Sequence, residues 1–353
     1  MIYLVTGGAG FVGSSIAISL KKKYPDSKVI ALDNLKRRGS EFNLPRFKQF
    51  GVEFIHGDVR NKEDLAVVGP VNSIIECSAE PSVMAGYDSP PDYLIGTNLL
   101  GNINCLEFAR VYKAGFIMLS TSRVYPYNTI NSLSFYETET RFELESVQRI
   151  PGSSSMGLTE EFPLVGVRSL YGATKLASEL LILEYGDMYG LNVVINRCGI
   201  LTGPWQFGKV DQGVVVLWVA KHFWKHNLNY IGFGGAGKQV RDILHVNDLF
   251  RLIDIQLRNI QKISGNVFNV GGGREISISL NELTQLCEWH TGNTVSIKQI
   301  DKNRPADIRI YLTDNSKVTK ITGWKPEIAV EDIIKEIVVW IRDHEGQLKG
   351  VLG

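Results

Sequence analysis

The stretch VTGGAGFVGSS, residues 5–15, decides the fold. Gly8, Gly10 and Gly13 satisfy G-x-G-x-x-G, while Gly7, Gly10 and Gly13 equally satisfy G-x-x-G-x-x-G. Glycines at such spacing can mark nothing more than a tight turn. Here an apolar run, Ile2–Thr6, leads into them and a helical pattern over 13–23 follows, so the motif lies at a strand-to-helix turn. In that setting glycines let the backbone approach a pyrophosphate, whose charge then rests at the helix N-terminus.

Further apolar runs occur at Lys28–Asp33, Val52–His56, Ser73–Ser78 and Phe116–Ser120, with a sixth at 192–197. They are apolar nearly throughout rather than alternating, as expected of strands covered on both faces. Helical stretches near 61–68, 91–112 and 172–190 separate them. The alternation predicts an α/β fold with a doubly wound parallel sheet. Asp33 ends the second run, 20 residues after Gly13, where a carboxylate can accept hydrogen bonds from an adenosine ribose and repel a 2′-phosphate. NAD is therefore expected over NADP, although Arg37 and Arg38 stand near enough to accommodate that phosphate. Asp58, in HGDVR, reads either as an adenine contact or as a helix N-cap.

Composition excludes several classes. The 353 residues carry 38 basic and 37 acidic side chains, and no block of like charge forms a nucleic-acid-binding arm. The four cysteines form no C-x-x-C, so neither a zinc site nor a redox motif is expected. His222 and His226 are four apart, but no third ligand accompanies them, and no metal is expected. The longest tempting apolar run, 213–220, is far below the ~20 residues of a membrane span. The first residues run straight into a strand, with no signal-peptide pattern. A cytoplasmic enzyme is expected. Residues 126–168 lack periodicity and read as an insertion over one end of the sheet. The expected division is a dinucleotide-binding domain over 1–200 and a smaller mixed α/β lobe over 201–353. In that lobe, Val214–Trp218 and Trp224 read as helix core.

RSLYGATKLASE, 168–179, places Tyr171 and Lys175 at i and i+4, on one helical face. An ammonium near a phenol favours the phenolate and equips it for acid–base work. Alone, that spacing also fits a solvated surface pair. LSTSRVY, 119–125, supplies Thr121 with Ser122 at the C-terminal end of a strand, the end where open α/β sheets bind ligands. The glycine loop, Asp33, Asp58, Asn98 in TNLLGN, Thr121, Tyr171 and Lys175 together resemble the extended short-chain dehydrogenase/reductases that act on nucleotide sugars. The resemblance covers nearly the whole chain. It implies a Rossmann domain whose NAD contacts are Gly7, Gly10, Phe11, Val12, Gly13, Asp33, Asn34, Asp58, Val59, Ala79, Asn98, Tyr171 and Lys175. It makes Tyr171 the acid/base, Lys175 its activator and Thr121 the hydrogen-bond partner of the reacting sugar oxygen.

FYETETRF (135–142), GPWQFGKVDQG (203–213), GAGKQVRDILHVNDL (235–249) and RPADIRIYLTD (304–314) are most similar to the CDP-paratose 2-epimerase branch. That resemblance implies a nucleoside-diphosphate sugar, specifically a CDP-dideoxyhexose, held by Thr121, Ser122, Gln239, Arg241, Arg304 and Asp307. Lys238, Arg241 and Arg304 are the cations expected near the diphosphate, and arginine suits phosphate oxygens better than lysine. The 4,6-dehydratases usually place an Asp-Glu pair after the threonine; here Ser122-Arg123 follow Thr121. The UDP-sugar 4-epimerases share all the core residues, and a net reductase or a non-catalytic NAD-sensing scaffold remain alternatives. Pro126, Ile200 and the CSAE turn at 77–80 depart from the usual pattern. By analogy with that superfamily, the helices near 91–112 and 172–190 imply a homo-oligomer.

Overall fold

A computed structural model describes residues 1–87, 89–208 and 212–353. Residues 209–211 of the GPWQFGKVDQG stretch therefore lie outside the described residues. Seven strands build the main sheet: β1 (Ile2–Thr6), β2 (Lys28–Asp33), β3 (Glu53–His56), β4 (Ser73–Glu76), β5 (Gly115–Thr121), β6 (Val193–Cys198) and β7 (Asn266–Val270). They lie in the order β7-β6-β5-β4-β1-β2-β3, and every neighbouring pair is parallel. The order reverses between β1 and β4, which opens a crevice at the strands' C-terminal ends.

The central strands are largely apolar because each face carries its own helical layer. On one face Val5, Ala31, Ile75 and Ile117 meet Ile16 and Leu20 of helix α1 (Phe11–Lys23) and Leu252 of the helix Val246–Asn259. On the other, Leu4, Ile30, Ile74 and Phe116 meet Leu106 of the helix Asn102–Tyr112 and Ile182 of helix α2 (Leu170–Tyr189). Alternate residues of one strand thus enter different cores, as the pleat requires.

Two differences from the sequence reading have physical causes. The sheet has a seventh strand, because β7 pairs along β6. Its two asparagines disguise it as a mixed segment. Asn269 is nonetheless buried, with its amide donating to Leu158 O at 2.9 Å. The helix Val246–Asn259 and β7 therefore return to the large sheet, and a contiguous boundary at 200/201 does not describe this path. A helix over Asn43–Phe50 is hidden in the sequence pattern because it carries Pro45, which is tolerated in a first turn.

The smaller lobe joins short strands at Ile200–Thr202, Val240–His245, Ser277–Ser279 and Ile310–Tyr311 to helices at Val214–Phe223, Leu280–Thr291, Val330–Asp343 and Glu345–Leu352. Val215–Ala220 are buried, and Trp218 stacks on Tyr230, so that stripe is helix core. His222 belongs to the same core, its Nδ1 2.8 Å from Trp218 O. Ile200 packs against this cluster too. The 126–168 insertion is more ordered than its composition implies. It holds a short helix, Tyr127–Asn131, and two small antiparallel pairs. Phe142, Leu158 and Phe162 pack on Ile308, Ile310 and Leu312, tying the insertion to the smaller lobe. No described helix is long and apolar enough to cross a membrane.

Candidate active site

The crevice starts with the glycine loop. Gly7 has φ +59°, and a Cβ there would lie 2.8 Å from the carbonyl of Cys77. A Cβ on Gly13 would lie 2.2 Å from Gly7 O, so only glycine lets α1 begin so close to the turn. Phe11 and Val12 open α1 and are partly buried. The loop is thus a cradle that any side chain would fill, which fits a pyrophosphate lying on backbone N–H groups.

Asp33 clips this cradle. Its Oδ2 accepts the Ala9 N–H at 3.0 Å and its Oδ1 the Leu35 N–H at 2.7 Å. Burial raises its pKa, and those N–H groups pull it back. Arg37 donates to Phe207 O at 2.7 Å and Arg38 to Gly350 O at 2.6 Å, so both guanidiniums are engaged with the other lobe. Asp58 and Val59 line the same crevice with Asn34 and Ala79. Asp58 accepts from Asn34 Nδ2 at 2.8 Å and pairs with Arg60 at 2.7 Å. Burial alone would raise the Asp58 carboxyl, but Arg60 and Asn34 outweigh it and hold its pKa at about 2. Asp58 is therefore an ionised acceptor rather than a helix cap, a role the following helix leaves unfilled by side chains.

Asn98 stands behind the turn that follows β4. It lies within a π-helical turn, Gly96–Gly101, and is buried. Its Oδ1 accepts the Glu80 N–H at 2.8 Å and its Nδ2 donates to Glu80 O at 3.1 Å. Its own carbonyl accepts from Ser178 Oγ at 2.9 Å. It clamps the Ala79–Glu80 turn against α2.

The chemistry-bearing groups meet where β5 ends and α2 begins. Thr121 closes β5, and its Oγ1 caps the next turn by accepting the Arg123 N–H at 3.1 Å. Ser169 caps α2 by accepting the Gly172 N–H at 3.3 Å. Between the caps the backbones touch, since a Cβ on Gly172 would lie 2.1 Å from Arg123 O. That approach brings the Tyr171 phenol to the Thr121 side chain. Burial raises the phenol's pKa, while Lys175, a hydrogen bond with Thr121 and the Arg123 guanidinium oppose it. Thr121, Tyr171 and Lys175 are all buried, which rules out a solvated surface pair.

Beyond Tyr171 lies the arginine cluster of the smaller lobe. Asp307 receives Arg241 at 3.4 Å and Arg304 at 3.8 Å. Arg241 also donates to the carbonyls of Val240 at 2.8 Å and Ile308 at 2.5 Å. Burial brings Arg241 down to about 10, against the pull of Asp307. Arg123, half-buried beside Ser122, donates to Ala306 O at 3.0 Å, so it joins the same cluster. Two sequence expectations fare differently. Lys238 is no member, being paired with Glu137 at 2.7 Å on the insertion hairpin. Gln239 spends its amide nitrogen on Ile231 O at 2.6 Å, and only its Oε1 stays unpartnered.

Sequence reasoning missed the groups beneath the site. Glu179 binds Arg197 through Nε and Nη2, at 2.8 Å for the latter, and also accepts from Ser120 Oγ. Arg197 donates on to Tyr125 OH at 3.1 Å, which donates to Asn269 at 2.8 Å. Losing either charge would leave the other buried and unpaired, at a cost of about 3–5 kcal/mol. Glu76 lies 3.5 Å from Lys175 and was equally unforeseen. Acids and arginines inside otherwise apolar strands were the available signal.

The geometry agrees with comparison to known proteins. The profile of the NAD dependent epimerase/dehydratase family matches residues 3–271. A CDP-paratose 2-epimerase from Salmonella typhi is 32% identical over 347 residues, spanning 96% of this chain and 99% of that protein. A putative UDP-glucose 4-epimerase from Methanocaldococcus jannaschii is 30% identical, spanning 97% and 98%. The crystal structure of dTDP-glucose 4,6-dehydratase from Bacillus anthracis in complex with NAD superposes with a TM-score of 0.78 at 26% identity, over 99% of both chains.

If the Gly172 contact holds the phenol in place, Gly172→Ala lowers kcat on the order of a hundredfold, the cost of roughly 1 Å of misplacement. NAD affinity, measured by calorimetry, changes far less, because the glycine cradle is untouched. An equal loss of both would show that the contact merely stabilises the fold.

Proposed function

The chain belongs to the NAD dependent epimerase/dehydratase family, and on that premise we propose that it inverts C2 of CDP-paratose to give CDP-tyvelose. NAD is its cofactor and sugar epimerisation its chemistry. The glycine loop and the start of α1 hold the pyrophosphate, Asp33 the adenosine ribose, and Asp58 with Val59 and Ala79 the adenine end. NAD held there would supply a reversible hydride acceptor beside the sugar carbon.

Every other step belongs to the chain. Thr121 holds the reacting hydroxyl oxygen, and the Tyr171 phenolate removes its proton as the carbon loses its hydride. Once the sugar carbon presents its other face, the Tyr171 phenol gives the proton back to the same oxygen, still held by Thr121, which completes the inversion. Protons and electrons balance over one turnover. Arg241, Arg304 and Asp307, with Arg123 alongside, hold the diphosphate. Three guanidiniums against one carboxylate leave a net charge of +2, which matches the charge of a diphosphate diester. Ser122 and Gln239 face the sugar by the same reading.

The observation that carries the specific reading is the near-full-length likeness at 32% identity to the Salmonella typhi enzyme. A second observation separates it from dehydration. Elimination of water needs an extra acid and base after the threonine, and Ser122-Arg123 provide neither. A homo-oligomer is proposed through α2, whose Leu180, Met188 and Tyr189 are exposed and whose apolar groove over Leu170, Ala173 and Leu176 continues them. A second copy of the same face would cover these residues. Light scattering giving only the 39.4 kDa of one chain would end that proposal. A cytoplasmic setting is part of the same reading, since CDP-sugars are nucleotide-activated donors.

Tyr171→Phe is expected to abolish turnover while NAD still binds. Because the base must be ionised and burial raises its pKa, kcat/KM of the unaltered enzyme rises with pH along the acid limb. CDP- and UDP-sugars deuterated at C2 or C4, followed separately by NMR, identify the carbon. Inversion at C2 of a CDP-dideoxyhexose is expected. Inversion at C4 of a UDP-hexose would move the chain to the 4-epimerases.

A further inference from the structure

One buried acid has no part in the chemistry above. Glu76 closes β4, a Ser-Ile-Ile-Glu strand of which all four residues are buried. Its Oε2 lies 3.5 Å from Lys175 Nζ, and both side chains are 2% exposed. No hydrogen bond satisfies that oxygen, so the lysine ammonium is its partner. The lysine therefore stands between two acidic groups, the Glu76 carboxyl behind it and the Tyr171 phenol on its own helical face.

The remaining titratable groups around this trio do not replace Glu76. Cys77, Cys105 and Cys198 are buried thiols with pKa values pushed up by desolvation, which keeps them neutral. Arg123 faces the phenol as a second cation. For the Glu76 carboxyl itself, burial holds the pKa above the ordinary carboxylate value, against the opposing pull of Lys175, the Ser78 N–H and the Asn102 amide.

A charge count gives this pair a consequence. Oxidised nicotinamide is cationic and reduced nicotinamide is neutral. With an ammonium beside it in a water-poor pocket, the oxidised form is disfavoured and the cofactor drifts toward the reduced form. A carboxylate against that ammonium offsets the repulsion. The same carboxylate limits how far the ammonium can depress the phenol's pKa. We propose that Glu76 is a positioning residue, the fixed counter-ion of Lys175, which sets both the ionisation of Tyr171 and the balance between oxidised and reduced cofactor. It ensures that the cofactor ends each turnover oxidised. This rests on the reading of Lys175 as the residue beside the nicotinamide ribose.

Glu76→Gln tests it, since the amide keeps the shape and removes the charge. Without the carboxylate the phenolate is stabilised, so the acid limb of the kcat–pH profile moves down by about half to one pH unit. The ratio of reduced to oxidised cofactor on the enzyme, read at 340 nm with saturating CDP-sugar, rises roughly three- to tenfold, the factor matching such a shift. Both quantities unchanged in a folded E76Q protein would overturn the proposal. If E76Q does not fold, Glu76→Asp carries the test. A carboxylate one methylene shorter weakens the pair, so the same two shifts are expected at smaller size, and their absence would likewise overturn it. Y171F, assayed in parallel, separates the two levels of inference. An inactive Y171F with an unshifted E76Q sinks only the role of Glu76, whereas an active Y171F sinks the mechanism and this proposal with it.

Discussion

The site depends on one close backbone approach, the glycine at 172 lying against the carbonyl of Arg123. A side chain at that position would start 2.1 Å from the oxygen, a separation no carbon and oxygen tolerate. Because the residue is glycine, the first turn of α2 can lie directly on the turn that ends β5. Tyr171 and Thr121 then meet although fifty residues of chain separate them. Lys175 follows one helical turn later, deep enough to be buried. The phenol's environment is thus decided by packing before any ligand arrives.

Packing of that kind needs a rigid floor, and the polar groups under the site supply it. Glu179, from the same helix as Tyr171, grips Arg197 on β6 and Ser120 on β5, so α2 is fixed to two neighbouring strands at once. The chain of contacts continues through Tyr125 to Asn269 on β7. Buried charges of this sort add little net stability over apolar residues of the same volume, yet they tolerate only one arrangement. Their effect is to hold register at the crevice. Above the floor, the two ligands meet different kinds of positive charge. On the proposed reading, the anionic part of the cofactor faces backbone N–H groups at α1, and the sugar diphosphate faces the guanidiniums around Asp307.

Much of this was legible in the sequence. Continuous apolar runs located the first six strands, because a strand covered on both faces has no solvent-facing positions to betray it. The glycine loop and Asp33 were legible because their spacing is imposed by backbone geometry. β7 was not legible, since Asn266 and Asn269 interrupt its apolar pattern, and the burial of Asn269 is offset by partners distant in sequence. Asn98 was placed at the cofactor by resemblance, and the sequence did not reveal that its amide clamps the turn after β4. Lys238 read as a phosphate ligand from charge and neighbourhood alone, and the insertion's Glu137 claims it instead. Arg123 and Glu76 were overlooked for a common reason. Their meaning lies in which buried group they face, and that information exists only once β4, β5 and α2 are assembled.

For this mechanism to operate, the Tyr171 phenol, the Lys175 ammonium and the Thr121 hydroxyl must converge on the reactive carbon of the cofactor. A crystal structure of the enzyme with NAD and a CDP-hexose measures that convergence. The nicotinamide C4 is expected to face the sugar carbon, with the phenol and the threonine both within hydrogen-bond distance, roughly 2.6–3.2 Å, of that carbon's oxygen. A nicotinamide ring bound away from Tyr171, with the phenol still locked against Thr121, would contradict it.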